Sequence, residues 1–269
     1  MLRFSGRGVT DVGRVREANE DSAFAGPYVA LVADGVGGAA AGEVASATVA
    51  YVVSAIARLR QDQDPAGVLR DAIEAARESL RTGIDVDLDR AGMATTLTAL
   101  VTDGTTVVLG HVGDSRGYLF RDGVLRQITT DHTYVQQMVA SGQLVPEQAR
   151  RHPWRNVVMR SLHGGPVDVD ETPDIVELDL GPGDRVLLCS DGLTDLVTDE
   201  RIAEILHVPD PDAAAARLVD AALDAGGSDN VTCLVLDVVD GPRVSGDGEL
   251  LGAVRDVVNI VDPGAVRAN

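Results

Sequence analysis

Four aspartates carry the chemistry this sequence offers. They are Asp34 in Val32-Ala33-Asp34-Gly35, Asp114 in Val112-Gly113-Asp114-Ser115, Asp191 in Cys189-Ser190-Asp191-Gly192 and Asp229 in Gly227-Ser228-Asp229-Asn230. Each stands at a Gly- or Asn-flanked corner beside an apolar run. Tyr28 to Ala33, Thr105 to Val112 and Arg185 to Cys189 lead into their aspartates, and Val231 to Val239 leads away from Asp229. Taken singly, each is an ordinary turn former. Together, carboxylates at the ends of buried strands can converge on one sheet edge. Such a cluster repels itself and takes up protons unless compensated. Hard divalent cations bound through oxygen compensate it, so the pattern predicts a carboxylate-bound Mg or Mn site. No loop has the spacing of an EF-hand, which argues against a dedicated calcium site. Asp103 and Asp122 sit in plain Asp-Gly hairpins and carry no functional claim.

The elements that must position these carboxylates follow from apolar patterning. Residues 3–10 predict a first strand and Tyr28 to Ala33 a fully apolar one. The corner Asp34-Gly35-Val36-Gly37-Gly38 then leads to a helix starting near Gly42, with Val44, Thr48, Tyr51, Val52, Ala55, Ile56 and Leu59 on one stripe. Asp64-Pro65 opens a second helix. A meander follows: Thr95 to Val101, Thr105 to Val112, Arg116 to Phe120 and Val124 to Ile128, turning at Asp103-Gly104, Gly113-Asp114 and Asp122-Gly123. Residues 130–170 are polar, hold three of the five histidines and the only Trp, and read as a flap insertion. Strands return at Ile175 to Leu178 and Arg185 to Cys189, then helices at Glu200 to Leu206 and Pro211 to Asp224, then the strand Val231 to Val239. Helices grouped in pairs suit an α+β fold: a central antiparallel β-sandwich of two sheets flanked by pairs of antiparallel helices, four layers αββα. Residues 1–240 form the expected catalytic domain, and 241–269 a C-terminal tail packing back on it.

Composition excludes several function classes. The 269 residues carry a formal net charge of -19. That argues against nucleic acid and against lying on an anionic membrane. It suits interior carboxylates that hold metal and, more simply, an ordinary soluble surface, which is the favoured reading of the charge. All 23 basic residues are Arg, so a P-loop lysine, a kinase strand lysine and a Schiff base are all excluded. The two cysteines, Cys189 and Cys233, lie in apolar runs and read as buried reduced thiols. No signal core precedes the domain and no segment reads as a membrane helix, so a cytoplasmic monomer is expected. Ala33-Asp34-Gly35-Val36-Gly37-Gly38 has the strand and glycines of a dinucleotide site. However, the region where a second strand and its acidic residue should come is helical (Ile56, Ala57, Leu59), and Asp34 would repel a pyrophosphate.

The ordered set Arg16-Glu17-Ala18-Asn19-Glu20-Asp21, Ala33-Asp34-Gly35-Val36-Gly37-Gly38, Gly92-Met93-Ala94-Thr95-Thr96-Leu97, Gly113-Asp114-Ser115-Arg116, Thr130-Asp131-His132, Cys189-Ser190-Asp191-Gly192-Leu193 and Asp229-Asn230-Val231-Thr232 resembles the metal-dependent protein phosphatases of the protein phosphatase 2C type, in their bacterial form. The resemblance implies a serine/threonine phosphoprotein phosphatase acting on kinases and their substrates. It implies that Asp34 bridges two Mn or Mg ions, that Asp191 and Asp229 complete the first ion's shell and that the Gly35 carbonyl binds the second. Glu20 and Asp21 would hold metal-bound waters, Asp114 with Asp191 a third ion, and Arg16 the substrate phosphate. The attacking water would lie between the two ions and displace the alcohol in line, without a covalent intermediate. Two departures stand out. Val36 occupies the position of a proposed His acid in eukaryotic relatives, and Ala94 stands where Gly is usual. His132 and His152 are read as surface or helix-packing residues rather than replacement acids. Alternatives are a catalytically silent regulator of the same fold, disfavoured because every aspartate is present, and a phosphatase dedicated to anti-sigma-factor antagonists.

Overall fold

The computed structural model describes residues 1–36, 41–166 and 172–264; Gly37 and Gly38 of the glycine corner lie outside them. Corners rich in Gly and Asp divide the apolar runs into strands β1 (Leu2–Ser5), β2 (Gly8–Asp11), β3 (Asp21–Ala25), β4 (Val29–Val36), β5 (Ala94–Thr95), β6 (Leu97–Thr102), β7 (Val107–Val112), β8 (Arg116–Arg121), β9 (Val124–Gln127), β10 (Leu162–His163), β11 (Asp174–Leu178), β12 (Arg185–Cys189), β13 (Val231–Asp240) and β14 (Glu249–Gly252). The α-helices are α1 (Gly42–Leu59), α2 (Pro65–Val86), α3 (Tyr134–Ala140), α4 (Pro146–Ala149), α5 (Asp191–Thr194), α6 (Asp199–Leu206) and α7 (Pro211–Asp224). One antiparallel sheet runs β1-β13-β12-β8-β9, with β2 also on β13. The other runs β10-β5-β4-β6-β7-β11, with β3 beside β4 and β14 beside β3.

Strand alternation sorts the core into three apolar layers. On β13, Val231, Cys233 and Val235 face α5, α6 and α7, while Leu234, Leu236 and Val238 face the other sheet. On β4, Ala30 and Val32 meet them across the sandwich, and Val29 and Leu31 face α1 and α2. The result is the expected α-β-β-α stack. Local chemistry sets the helix starts: Asp64 accepts from Gly67 N at 2.8 Å with Pro65 in the first turn, and Asp210 and Thr198 cap α7 and α6. The Asp122-Gly123 hairpin has φ of 53 and 77, the paired positive values of a tight two-residue turn.

The structure departs from the sequence reading at several points. Residues 3–10 form two strands, because Gly6 adopts φ 145 where an added Cβ would meet Val235 O at 2.1 Å. Asp103 Oδ1 accepts from Thr105 N and Thr106 N at 2.8 and 2.9 Å, which delays the return strand to Val107. Strand β3 was not anticipated; it pairs with β4 from Asp21↔Asp34 to Ala25↔Ala30. The chain after Asp240 packs on the rest of the domain and contributes a strand that the sequence reading did not place. This strand, β14, pairs with β3, and Val254, Ile260 and Val261 join the α1–α2 core. Helix α1 is long and apolar enough, by length and composition, to cross a membrane. It instead covers the sheet, with Ala45, Ala47, Val49, Ala50 and Val53 fully buried. The flap holds α3, α4 and β10.

Leu188 is fully buried between the sheets. Leu188→Ala is expected to lower unfolding free energy by about 2–5 kcal/mol. Urea denaturation checks this, and a loss under about 1 kcal/mol would contradict the core assignment.

Candidate metal centre

Asp21 opens β3 and Asp34 lies opposite it on β4. Like charges in that position repel, so local pairing alone does not favour the arrangement. The other sheet supplies the compensation. Ser190 Oγ, just past β12, and Thr232 Oγ1, on β13, both donate to Asp21 Oδ2 at 2.7 Å. Thr232 N donates to Ser190 Oγ at 3.0 Å, and Thr10 Oγ1 stands 2.8 Å from Thr232 Oγ1. Because Thr232 spends its proton on Asp21, Thr10 is the donor to Thr232, and Asn19 Nδ2 in turn donates to Thr10 at 2.8 Å. Asp21 is fully buried, and its second oxygen, Oδ1, has no hydrogen-bond partner among the described residues. Burial pushes its pKa up to about 6, with the Thr232 and Ser190 bonds pulling the other way.

Asp34 is held by its backbone. Thr96 Oγ1 accepts from Asp34 N at 3.0 Å, and Thr95 Oγ1 and Thr96 N donate to Asp34 O at 2.8 and 2.9 Å. These bonds leave its carboxyl free for ligands. Loss of water raises its pKa well above the usual carboxylate range, and the charges of Asp21, Asp191, Asp114 and Asp229 add to the rise. Asp191 begins α5 and is raised likewise, first by burial and then by Asp114, Asp195, Asp229 and Asp21. The paired glycines permit close approach: a Cβ on Gly35 would meet Gly42 O at 2.5 Å, and one on Gly192 would meet Asn230 O at 1.9 Å.

Asp229 precedes β13, and its Oδ2 accepts from Arg16 Nη2 at 2.7 Å. Arg16 is half-exposed, so in this state the guanidinium expected to grip phosphate rests on a carboxylate expected to hold metal. Glu20 has a raised pKa, chiefly from burial and then from Glu43, with Arg16 opposing. Asp114 is buried past β7, and burial followed by Asp131 pushes it up to about 7. A cavity of about 250 Å³ has Asp114 and Asp191 on one side and Gln136, Arg150, Arg155 and Asn156 of the flap on the other. A larger groove, about 680 Å³ along Tyr51, Arg58 and Arg243, contains none of these aspartates.

His132 is neither a surface nor a helix-packing residue. It is buried, its Nδ1 accepts from Gly113 N at 3.2 Å, and its Nε2 lies 3.2 Å from Asp174 Oδ2. It therefore braces the turn before Asp114. His152 accepts from Trp154 N at 3.2 Å within the flap. The sequence reading assigned no role to Ser190, Thr232, Thr95, Thr96 or Asn230, although each adjoins a motif aspartate or lies in a quoted motif. Neighbourhood in sequence was the only signal available.

Among the described residues, no three His, Cys, Asp or Glu side chains are closed into a compact metal cage. The carboxylates raise one another's pKa, as crowded and uncompensated acids do. The donor set fits hard divalent cations: it is all oxygen, Asp21 Oδ1 is orphaned, and the largest influences on Asp34 and Asp191 after burial are other carboxylates.

A family model described as Protein phosphatase 2C matches residues 15–222. The chain is 44% identical over 276 residues to the serine/threonine protein phosphatase PstP of Mycobacterium tuberculosis, covering 100% of this chain and 52% of that protein. It therefore spans about half the length of that curated relative. It is 34% identical over 239 residues to the serine/threonine phosphatase stp of Listeria monocytogenes, covering 85% of this chain and 93% of that protein. A crystal structure of the PstP catalytic domain in complex with two manganese ions aligns with a TM-score of 0.80 at 44% identity, over 89% of this chain and 100% of that one.

The raised carboxylates have a signed consequence. Asp21 at about 6 and Asp114 at about 7 hold protons more tightly folded than unfolded. The native state thus pays for their ionisation, and stability falls as pH rises from about 4 to about 7. Asp34 adds to this penalty in the same direction. In chelator at about pH 8, Asp34→Asn is expected to melt above wild type, with the gap shrinking toward about pH 4. Calorimetry reads both curves; a D34N midpoint at or below wild type throughout would refute the repulsive cluster.

Proposed function

The chain belongs to the protein phosphatase 2C family, and on that premise we propose that it hydrolyses phosphoserine and phosphothreonine monoesters of proteins with two divalent cations, manganese or magnesium. The observation that carries the reading is Asp34 on β4, placed directly opposite the buried Asp21 of β3, where burial and four neighbouring aspartates hold its carboxyl above the usual range. The manganese in the related PstP structure supports the choice of cation. Asp34, Asp191 and Asp229 with the Gly35 carbonyl would hold the two ions, Glu20 and Asp21 would order water beside them, and Asp114 with Asp191 would take a third. When bound, the ions supply the positive charge that neutralises a phosphomonoester dianion and acidifies the attacking water.

The chain's own residues do the rest. Asp21 keeps its place opposite Asp34 through Ser190 and Thr232, which engage one oxygen and leave the other available. Arg16 is half-exposed and bound to a single carboxylate oxygen, so its guanidinium fork can move to two phosphate oxygens. Val36 brings no proton to the leaving oxygen, and His132 is engaged with Gly113 and Asp174. That proton comes from solvent. Protein kinases and their phosphorylated substrates are the proposed partners, and a monomer is the proposed working unit.

Purified protein with millimolar Mn is expected to hydrolyse p-nitrophenyl phosphate and to lose turnover in chelator. Absence of turnover above background would leave a silent regulator of the same fold. Asp34→Ala is expected to fall below about one hundredth of the wild-type rate, and retention of a tenth would contradict the bridging role. Arg16→Ala is expected to raise KM roughly tenfold with a smaller change in kcat, and an effect confined to kcat would count against phosphate grip.

A further inference from the structure

The connection 12–20 between β2 and β3 carries Arg16 and Glu20 and has no regular secondary structure. Without a ladder, its backbone groups need other partners. Arg16 is 48% exposed, so its own side chain does little to fix the loop. The fixing side chain comes from the far end of the sequence. Asn230 Nδ2 donates to Val12 O at 2.8 Å and to Ala18 O at 2.9 Å, and its Oδ1 accepts from Glu20 N at 2.8 Å. One amide therefore ties down the entry and the exit of the loop. Asn230 is 5% exposed, so these bonds form away from competing water.

The same residue orients the partner of Arg16. Asn230 N donates to Asp229 Oδ1 at 2.8 Å, while Asp229 Oδ2 takes Arg16 at 2.7 Å. The chemistry requires an amide. Two carbonyl oxygens face Nδ2 and one N–H faces Oδ1, so a carboxylate there would set an anion against Val12 O and Ala18 O.

We infer that Asn230 is a positioning residue that acts through Arg16, holding the 12–20 loop so that the guanidinium stands at the Asp229 corner where substrate phosphate arrives. The inference rests on the phosphatase reading above. Asn230→Asp is the sharpest probe, because it keeps the size and the acceptor for Glu20 N and removes both donors.

With p-nitrophenyl phosphate and Mn, N230D is expected to raise KM about tenfold, like R16A, with kcat changed much less. In an R16A background it is expected to add less than about twofold, because the residue it positions is gone. Effects that multiply in the double variant, or a loss confined to kcat, overturn the inference. A second readout needs neither metal nor turnover. In chelator, hydrogen exchange across 12–20 is expected to quicken about tenfold in N230D, and unchanged exchange also overturns it. If N230D does not fold, N230S, which keeps one hydroxyl donor, is read through the same cycle. Wild type without turnover would sink the phosphatase reading and this inference with it. An active wild type with multiplicative effects sinks this inference alone.

Discussion

The two sheets are stitched at their working end by a single buried carboxylate. Asp21 belongs to one sheet and takes its hydrogen bonds from Ser190 and Thr232 of the other. Elsewhere the sandwich is joined chiefly by apolar side chains, mostly Leu, Val and Ala, with the β1 backbone also bonded to Pro27 O and Gly104 O in turns of the other sheet. Hydrogen bonds to a charge are directional, so this one junction sets how Asp34 on β4 faces Asp191 and Asp229 beside β12 and β13. The donors run back through Thr10 to Asn19, so the loop that carries Arg16 ends on the same network.

That arrangement sets stability against chemistry. Buried aspartates facing one another weaken the metal-free fold, and the strain is tolerated because three apolar layers surround it. Three of the four aspartates are also braced from behind: Asp34 by Thr95 and Thr96, Asp114 by His132 through Gly113, and Asp229 by Asn230. The braces act mainly on backbone, which leaves carboxyl oxygens available for cations.

The sequence made the corners legible because Asp-Gly pairs and apolar runs are local signals. Helix α7 was bounded at Pro211 and Asp224 for the same reason, since its cap and its periodicity are both local. Strand β3 was missed because Asp21-Ser22-Ala23-Phe24-Ala25 lacks β-branched residues and becomes a strand only between β4 and β14. The split at Gly6 depends on Val235, over two hundred positions away. The same holds within the site. The aspartates could be named from their turns, but the work of Ser190, Thr232 and Asn230 depends on partners no spacing rule connects. His132 was misjudged because its burial follows from the flap's return against Gly113.

Strand β14 gives the last stretch of chain a practical meaning. It lies along the outer side of β3, and Val254, Ile260 and Val261 follow it into the core. A recombinant fragment trimmed after Asp240 would strip that cover and leave β3 with a row of unsatisfied amides and carbonyls. Bare margins of this kind recruit neighbouring molecules and promote aggregation. Expression boundaries for this domain therefore belong beyond Val261, past the point where the long strands end.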